Sequence, residues 1–361
     1  MTAVRDALRR PASTAPLPGL PRLPVLWAGA GVAIVAVALT TGVLVGPVHV
    51  SLATVGEALL SPPFLRSQTG PEAGQVAILW SIRFPRVALG ALVGALLATA
   101  GAAYQGVFRN PLADPYLLGA GAGAVLGATL AIVLSRGSPL VGSSLIPVAA
   151  FAGAAVAVGA AYILGRSLGD RRNPTTLVLA GVVIAAFLTA VQTYVQQSQT
   201  DSLRQVYSWI LGRLVTAGWD TTATTLPYAV VGIGVVFAHR RLLDALAVGE
   251  EEVTSLGVSP RRVRLVVVAA ATLCTGAAVA AAGAIGFVGI IVPHTVRLLL
   301  GTSYRVVLPM STLLGAAFLV LADTAARTIA APAEVPIAVI TAMVGAPFFL
   351  VVMRSSRVSE L

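Results

Sequence analysis

The 361-residue chain has no lysine; all 24 of its basic residues are arginine. A phosphate-binding loop of the G-x-x-x-x-G-K-[ST] type is therefore excluded, because its lysine is what reaches the β- and γ-phosphates. Schiff-base chemistry is excluded for the same reason. If this protein moves a solute uphill at the expense of ATP, another chain must bind the ATP. Cysteine is reduced to Cys274, inside an apolar run, which rules out an internal disulfide and reads as a small buried side chain. The three histidines, His49, His239 and His294, do not cluster in sequence, and no metal site is expected. Charged residues make up 11% of the chain, against about 25% in an ordinary soluble domain. No nucleophile–base arrangement or carboxylate pair stands out, so no catalytic residue and no cofactor are expected.

What the chain does have is apolar surface. It is 57% hydrophobic with a mean hydropathy of +0.89, more than a soluble core of this length can hide, so lipid must solvate much of it. The net charge of +10 then reads as arginines flanking membrane spans on the cytoplasmic side rather than as a nucleic-acid surface. Residues 1–24 are rich in Arg, Pro and Ala and are expected to be a disordered cytoplasmic tail, followed over 25–361 by one membrane domain. Ten spans are expected, at about 25–45, 87–107, 115–134, 145–165, 176–195, 223–238, 264–284, 286–300, 306–327 and 335–353. All should be helices, since a backbone in lipid must satisfy its own hydrogen bonds and the alternation of a membrane β-barrel is absent. With the N-terminus inside, 17 of the 24 arginines fall on inner segments, which supports that orientation and places both termini in the cytoplasm.

Two stretches 182 positions apart resemble each other. Over 94–119 and 276–301, Gly94 matches Gly276, Gly101 matches Gly283, Pro111 matches Pro293 and Gly119 matches Gly301. Spans 2–5 and 7–10 are thus expected to be two halves, and the alternation of span directions makes them an inverted repeat. Glycines seven apart lie on one helix face and permit close helix contact.

Several constellations remain. The longest inner loop, 239–264, holds Glu250, Glu251 and Glu252, then Val253, Ser255 and Leu256, with Gly257 placed to end a short helix before Val258. Arg83 and Arg86 precede span 2 on the outer face, against the usual charge bias. Asp323 and Arg327 are four apart and could pair along span 9. Span 5 ends in a polar run containing Gln192, Gln196 and Gln197, which would be costly against hydrocarbon and is expected to line a wet vestibule. Thr175 and Thr176 follow Pro174 at that span's other end and mark a helix start.

These blocks, in order, resemble the FecCD-type permeases of ATP-binding-cassette importers, which take up iron–siderophores, haem and vitamin B12: RFPR at 83–86, GVFRNPLADPYLLG at 106–119, LVLAG at 177–181, LRQVYSWILG at 203–212, GEEEVTSLGV at 249–258, GAIGFVGIIVPHTVRLLLG at 283–301, LADTAAR at 321–327 and EVPIAVITAMVGAPFFL at 334–350. They cover nearly all of the chain beyond residue 80. The resemblance implies a ten-helix permease in the plasma membrane, acting as a homodimer or a heterodimer with a similar subunit. Two cytoplasmic ATPase subunits and an extracytoplasmic substrate-binding protein would be its partners. It further implies that Glu250–Val258 is the ATPase-coupling loop, that Arg83, Arg86 and Arg327 meet acidic residues of the binding protein, and that Thr175 and Thr176 lie at a cytoplasmic gate. Pro174 stands where the vitamin B12 permease has a hydroxyl residue. Ferric siderophores are the expected solute, with haem or cobalamin the alternative. A secondary transporter would need intramembrane carboxylates or a proton relay, and Asp323 is the only acidic residue well inside a span.

Overall fold

The computed structural model describes residues 23–46, 48, 50–60, 73–135, 139–167, 174–199, 202–212, 214 and 218–358; the expected N-terminal tail lies outside them. Among the described residues all regular structure is helical. The order is α1 Val25–Leu44, α2 Leu52–Leu60, α3 Ala73–Ile78, a wide π-type turn Leu79–Arg83, α4 Phe84–Phe108, α5 Ala120–Leu134, α6 Pro139–Ser167, α7 Pro174–Ser198, α8 Leu203–Ile210, α9 Trp219–Ala238, α10 Arg240–Val248, α11 Glu250–Ser255, α12 Pro260–Ala282, α13 Val288–Leu300, α14 Tyr304–Ala326 and α15 Ile337–Val358. Seven of these helical stretches are long and apolar enough to cross a bilayer, and α5, α13 and α15 are shorter apolar helices. Each coincides with one of the ten expected spans. The second begins earlier than expected, because the Ser81–Arg86 stretch is itself helical and continues from α3 into α4.

Three helices form the centre. Some 83% of the apolar window of α4 is buried, 67% of α14 and 61% of α12, against 17% for both α1 and α7. Centrality follows from small side chains. A methyl group on Gly94 or Gly315 would run into the other's backbone carbonyl, and one on Gly101 would run into the backbone of Gly289. Only hydrogen at those positions lets α4 seat against α14 and α13 at backbone contact. In lipid, where burial gives helices no hydrophobic incentive to associate, such contact is a main source of attraction. Hydroxyl pairs add to it: Thr99 with Thr312 at 2.8 Å between α4 and α14, and Tyr104 with Thr272 at 2.8 Å between α4 and α12.

The neighbour relations of α4–α7 recur in α12–α15. Helix α4 packs on α12; α4 on α14 is matched by α12 on α6; α5 on α6 by α13 on α14; and α6 on α7 by α14 on α15. Helices α1 and α9 stand outside the two sets: α1 packs mainly on α14, and α9 on α12 and α4. Locally the two copies differ. Gly101 is helical whereas Gly283, at φ +79°, ends α12, and Pro111 lies in a turn whereas Pro293 lies inside α13. Gly119 and Gly301 both take positive φ, one opening α5 and the other closing α13.

Candidate functional site

At one end of α4 the last turn of α1 presents carbonyls with no helical partner and no basic residue of its own. Orphan carbonyls at a buried helix end need donors, and two arginines supply them. Arg83 donates to Val43 O at 2.6 Å, Leu44 O at 3.1 Å and to Val48 O; Arg327 donates to Gly42 O and to Thr324 Oγ1 at 3.2 Å. The cations also sit at the negative end of the α1 dipole.

Arg86 is bound by two carboxylates. Its Nε and Nη2 reach Asp323 at 2.8–3.1 Å, and Nη1 and Nη2 reach Glu334 at 2.8 and 3.0 Å. The Asp323–Arg327 pair expected from the i, i+4 spacing is present at 3.6 Å, but Arg86 is the closer partner of Asp323. The three arginines were expected on a docking surface facing another protein's acids. The structure instead buries all three, at 3–6% exposure, and engages them within the chain. An unpaired buried charge is too costly at this depth, and each guanidinium has partners within the chain, although Arg327 Nε itself makes no hydrogen bond among the described residues. Glu334, which carries part of this arrangement, opens the 334–350 block, but nothing in that block's pattern marks it as a partner of Arg86. A cavity of about 220 Å³ lies beside it, lined among others by Arg86, Ser208, Leu211 and Glu334.

The opposite end of α4 carries the loop built from α10 and α11. Gly257 ends α11 as expected, at φ +74°, with Gly257 N–H donating to Thr254 O and Val258 N–H to Val253 O. That is a Schellman closure with an apolar pair, Val253 and Val258, beneath it. Val253 is fully buried and anchors the helix; Glu251, Glu252, Ser255, Leu256 and Gly257 are exposed and Val258 half-buried. Glu250 is tied to Arg264 at 2.7 Å, and all three glutamates lie in the first turn, where the helix dipole favours negative charge. Leu256 and, at the end of α10, Val248 are exposed apolar side chains flanking this acidic turn.

The remaining expected residues lie on α7. Pro174 opens the helix and Thr176 is half-buried; the side chain of Thr175 is outside those described. Gln192 is buried, Gln196 half-buried and Gln197 exposed. The Gln196 Nε2 atom is buried with no hydrogen-bond partner among the described residues. Around them α7 exposes Leu179, Val183 and Phe187, an apolar face open along most of the helix. No group of three His, Cys, Asp or Glu able to hold a metal ion occurs among the described residues.

The helices and these two worked ends define a multi-pass membrane transport subunit. Residues 34–355 match the FecCD transport family, and the chain belongs to it. It is similar to the cobalamin import system permease protein BtuC of Halobacterium salinarum, 45% identical over 292 residues, covering 81% of this chain and 77% of that one. Similarity to the uncharacterized ABC transporter permease YvrB of Bacillus subtilis is 38% over 328 residues, 91% and 93% of the two chains. The hemin transport permease HmuU of Yersinia pestis is 39% identical over 288 residues, 77% of this chain and 84% of HmuU. A solved structure described as an inward-facing conformation of a metal-chelate type ABC transporter superposes with a TM-score of 0.80 at 25% identity, covering 92% of this chain and all of that one.

Proposed function

We propose that this chain is the permease subunit of an ATP-binding-cassette importer for a metal chelate. The α10–α11 loop is the cytoplasmic coupling element and the Arg86 end faces outward. The observation that carries the reading is α11. It is a short helix anchored by one buried valine, with its acidic first turn and Leu256 left free, on a chain that has no lysine for nucleotide chemistry of its own. In water rather than lipid, an apolar side chain beside an acidic turn suits a partner protein, here the ATPase. Ten spans arranged as an inverted repeat, with both termini inside, fit the recurrence of neighbours between α4–α7 and α12–α15. The open face of α7 suits a second permease subunit, with Gln192, Gln196 and Gln197 at the edge of the path between the two and Thr175 and Thr176 at its inner gate. Arg83, Arg86 and Arg327 act at the outer surface from below, by holding the shape on which a binding protein docks.

Ferric chelates are the leading solutes, given the citrate, hydroxamate and hemin systems among the relatives. Cobalamin is the second reading, favoured by the 45% identity to a cobalamin permease. The test is reconstitution of the permease with its ATPase and binding protein in liposomes, supplied with ferric citrate, a ferric hydroxamate, hemin or cyanocobalamin. ATP-dependent accumulation of one of them is expected. Accumulation by the permease alone, or of none with the complete system, overturns the proposal.

A further inference from the structure

Helix α10 is gripped from two sides by residues that the coupling loop itself does not contain. Asp244, at its middle, accepts the Tyr304 backbone N–H on Oδ1 at 2.6 Å and the Ser303 hydroxyl on Oδ2 at 3.2 Å. Arg305 lies 3.6 Å from the same carboxylate. Asp244 therefore caps the start of α14 from a different helix. At the other side Arg109 donates from Nε to Leu246 O at 2.6 Å, one of the orphan carbonyls at the end of α10. Arg109 closes α4 in a left-handed conformation, φ 51°, uncommon for a residue with a side chain. Between these two bonds Leu243 and Leu246 are fully buried, and Gly106 of α4 leaves room for the Leu243 side chain and the Tyr304 ring. Arg297 of α13 completes the junction by donating to Gln105 Oε1 and to the Tyr304 hydroxyl.

The helices that grip it, α4 and α14, are the pair joined along their length by Gly94 against Gly315, Thr99 to Thr312 and Arg86 to Asp323. At the far end Arg86 passes the connection to Glu334, ahead of α15. We infer that Asp244 and Arg109 are positioning residues, the two joints by which a displacement of α10–α11 is delivered to the α4–α14 pair and through it to the segment around Glu334. Charge-assisted bonds are about twice as strong as neutral ones, which suits joints that must hold under load while α11 is pulled. This inference rests on the reading of α10–α11 as a coupling element.

The experiment uses the complete transporter in liposomes, with Cys274→Ala in the permease and fluorophores on cysteines replacing the exposed Ala247 of α10 and the exposed Ala333. In the parent, ATP with vanadate is expected to change the distance between the two labels. Asp244→Ala should hydrolyse ATP at close to the parent rate yet lose that change, and solute import should fall about tenfold, as for loss of one charge-assisted bond. Asp244→Asn keeps an acceptor for Tyr304 N–H and should restore most of the response. Arg109→Ala, at an exposed site that need not disturb folding, should show the same loss in weaker form. A parent-like distance change in both Asp244→Ala and Arg109→Ala overturns the inference. A merely structural role for Asp244 would lower assembly and hydrolysis together and leave the distance change per ATP intact, which also overturns it. Failure of the parent to respond to ATP at all would instead overturn the coupling reading beneath.

Discussion

Arg86 sits where single substitution and paired substitution give different answers. It is the main counter-charge of Asp323, which is 2% exposed. Arg86→Ala leaves that carboxylate with Arg327 at 3.6 Å and is expected to destabilise the protein by about 3–5 kcal/mol, the usual cost of stranding one partner of a buried pair. Arg86→Met combined with Asp323→Leu should cost less than the two single changes added together, since each alone strands the charge that the other removes. Thermal unfolding in detergent, read by tryptophan fluorescence, checks this; a double variant that loses as much as or more than that sum contradicts it. A second residue-scale prediction concerns Asp114. Burial pushes its carboxyl up from 3.8 to about 6, against the pull of its bond to Tyr116 N–H. The folded chain thus holds that proton more tightly than the unfolded chain, and the stability it contributes is present below about pH 4 and lost as pH rises to about 6. Asp114→Asn should flatten that part of a stability–pH curve. Sequence spacing shows Asp323 and Arg327 to be neighbours because a helix dictates it. It cannot show Arg86 and Glu334, which lie 237 and 248 positions from their partners, since ion pairs across helices depend on packing rather than period.

At the scale of elements, small residues decide which helices touch. Gly315→Val would drive a branched side chain into α4 at Gly94 and Ala98, and it is expected to prevent accumulation of folded protein. The same change at Gly29, which has nothing within 4 Å, should be tolerated. Equal yields of the two variants in membrane extracts would refute the argument. The seven-residue spacing of Gly94 and Gly101 was readable in the sequence as a contact face, and it is one. The register of the repeat was readable too, yet it misplaces the breaks. Gly283 ends its helix where Gly101 does not, because Gly283 is held at φ +79° beside Trp209 and Gly212 while Gly101 lies against Gly289. A glycine permits both outcomes, and the neighbour selects between them. In α11 the signal was local and complete: Gly257 after an acidic turn and an apolar i, i+3 pair specifies the closure that forms. Gly257→Ala imposes a left-handed conformation on a residue with a side chain, at about 1–2 kcal/mol. It should loosen α11 and reduce ATP-driven import more than Gly257→Asn does, since asparagine enters that conformation readily.

For the whole molecule the decisive question is direction: whether α11 and the segment before Glu334 lie on opposite sides of the membrane, with α11 inside. Their placement at opposite ends of α4, a helix of 25 residues and so about 37 Å long, is enough to span the hydrocarbon core of about 30 Å. In the proposed orientation α11 lies inside, with Arg240, Arg241, Arg261, Arg262 and Arg264 gathered around α10–α12, as expected of a cytoplasmic face. The chain is unusually suited to a direct test, because Cys274 is its only cysteine and is buried. In a Cys274→Ala background, a cysteine replacing the exposed Glu252 should resist a membrane-impermeant maleimide added to intact cells and react once the membrane is opened. A cysteine replacing Ala333 should react in intact cells. The reverse pattern would turn the permease over and place the acidic turn of α11 outside, where no nucleotide-hydrolysing partner could reach it. Labelling of both positions in intact cells would put them on the same side, and the reading of α4 as a span between coupling loop and outer surface would fail with it.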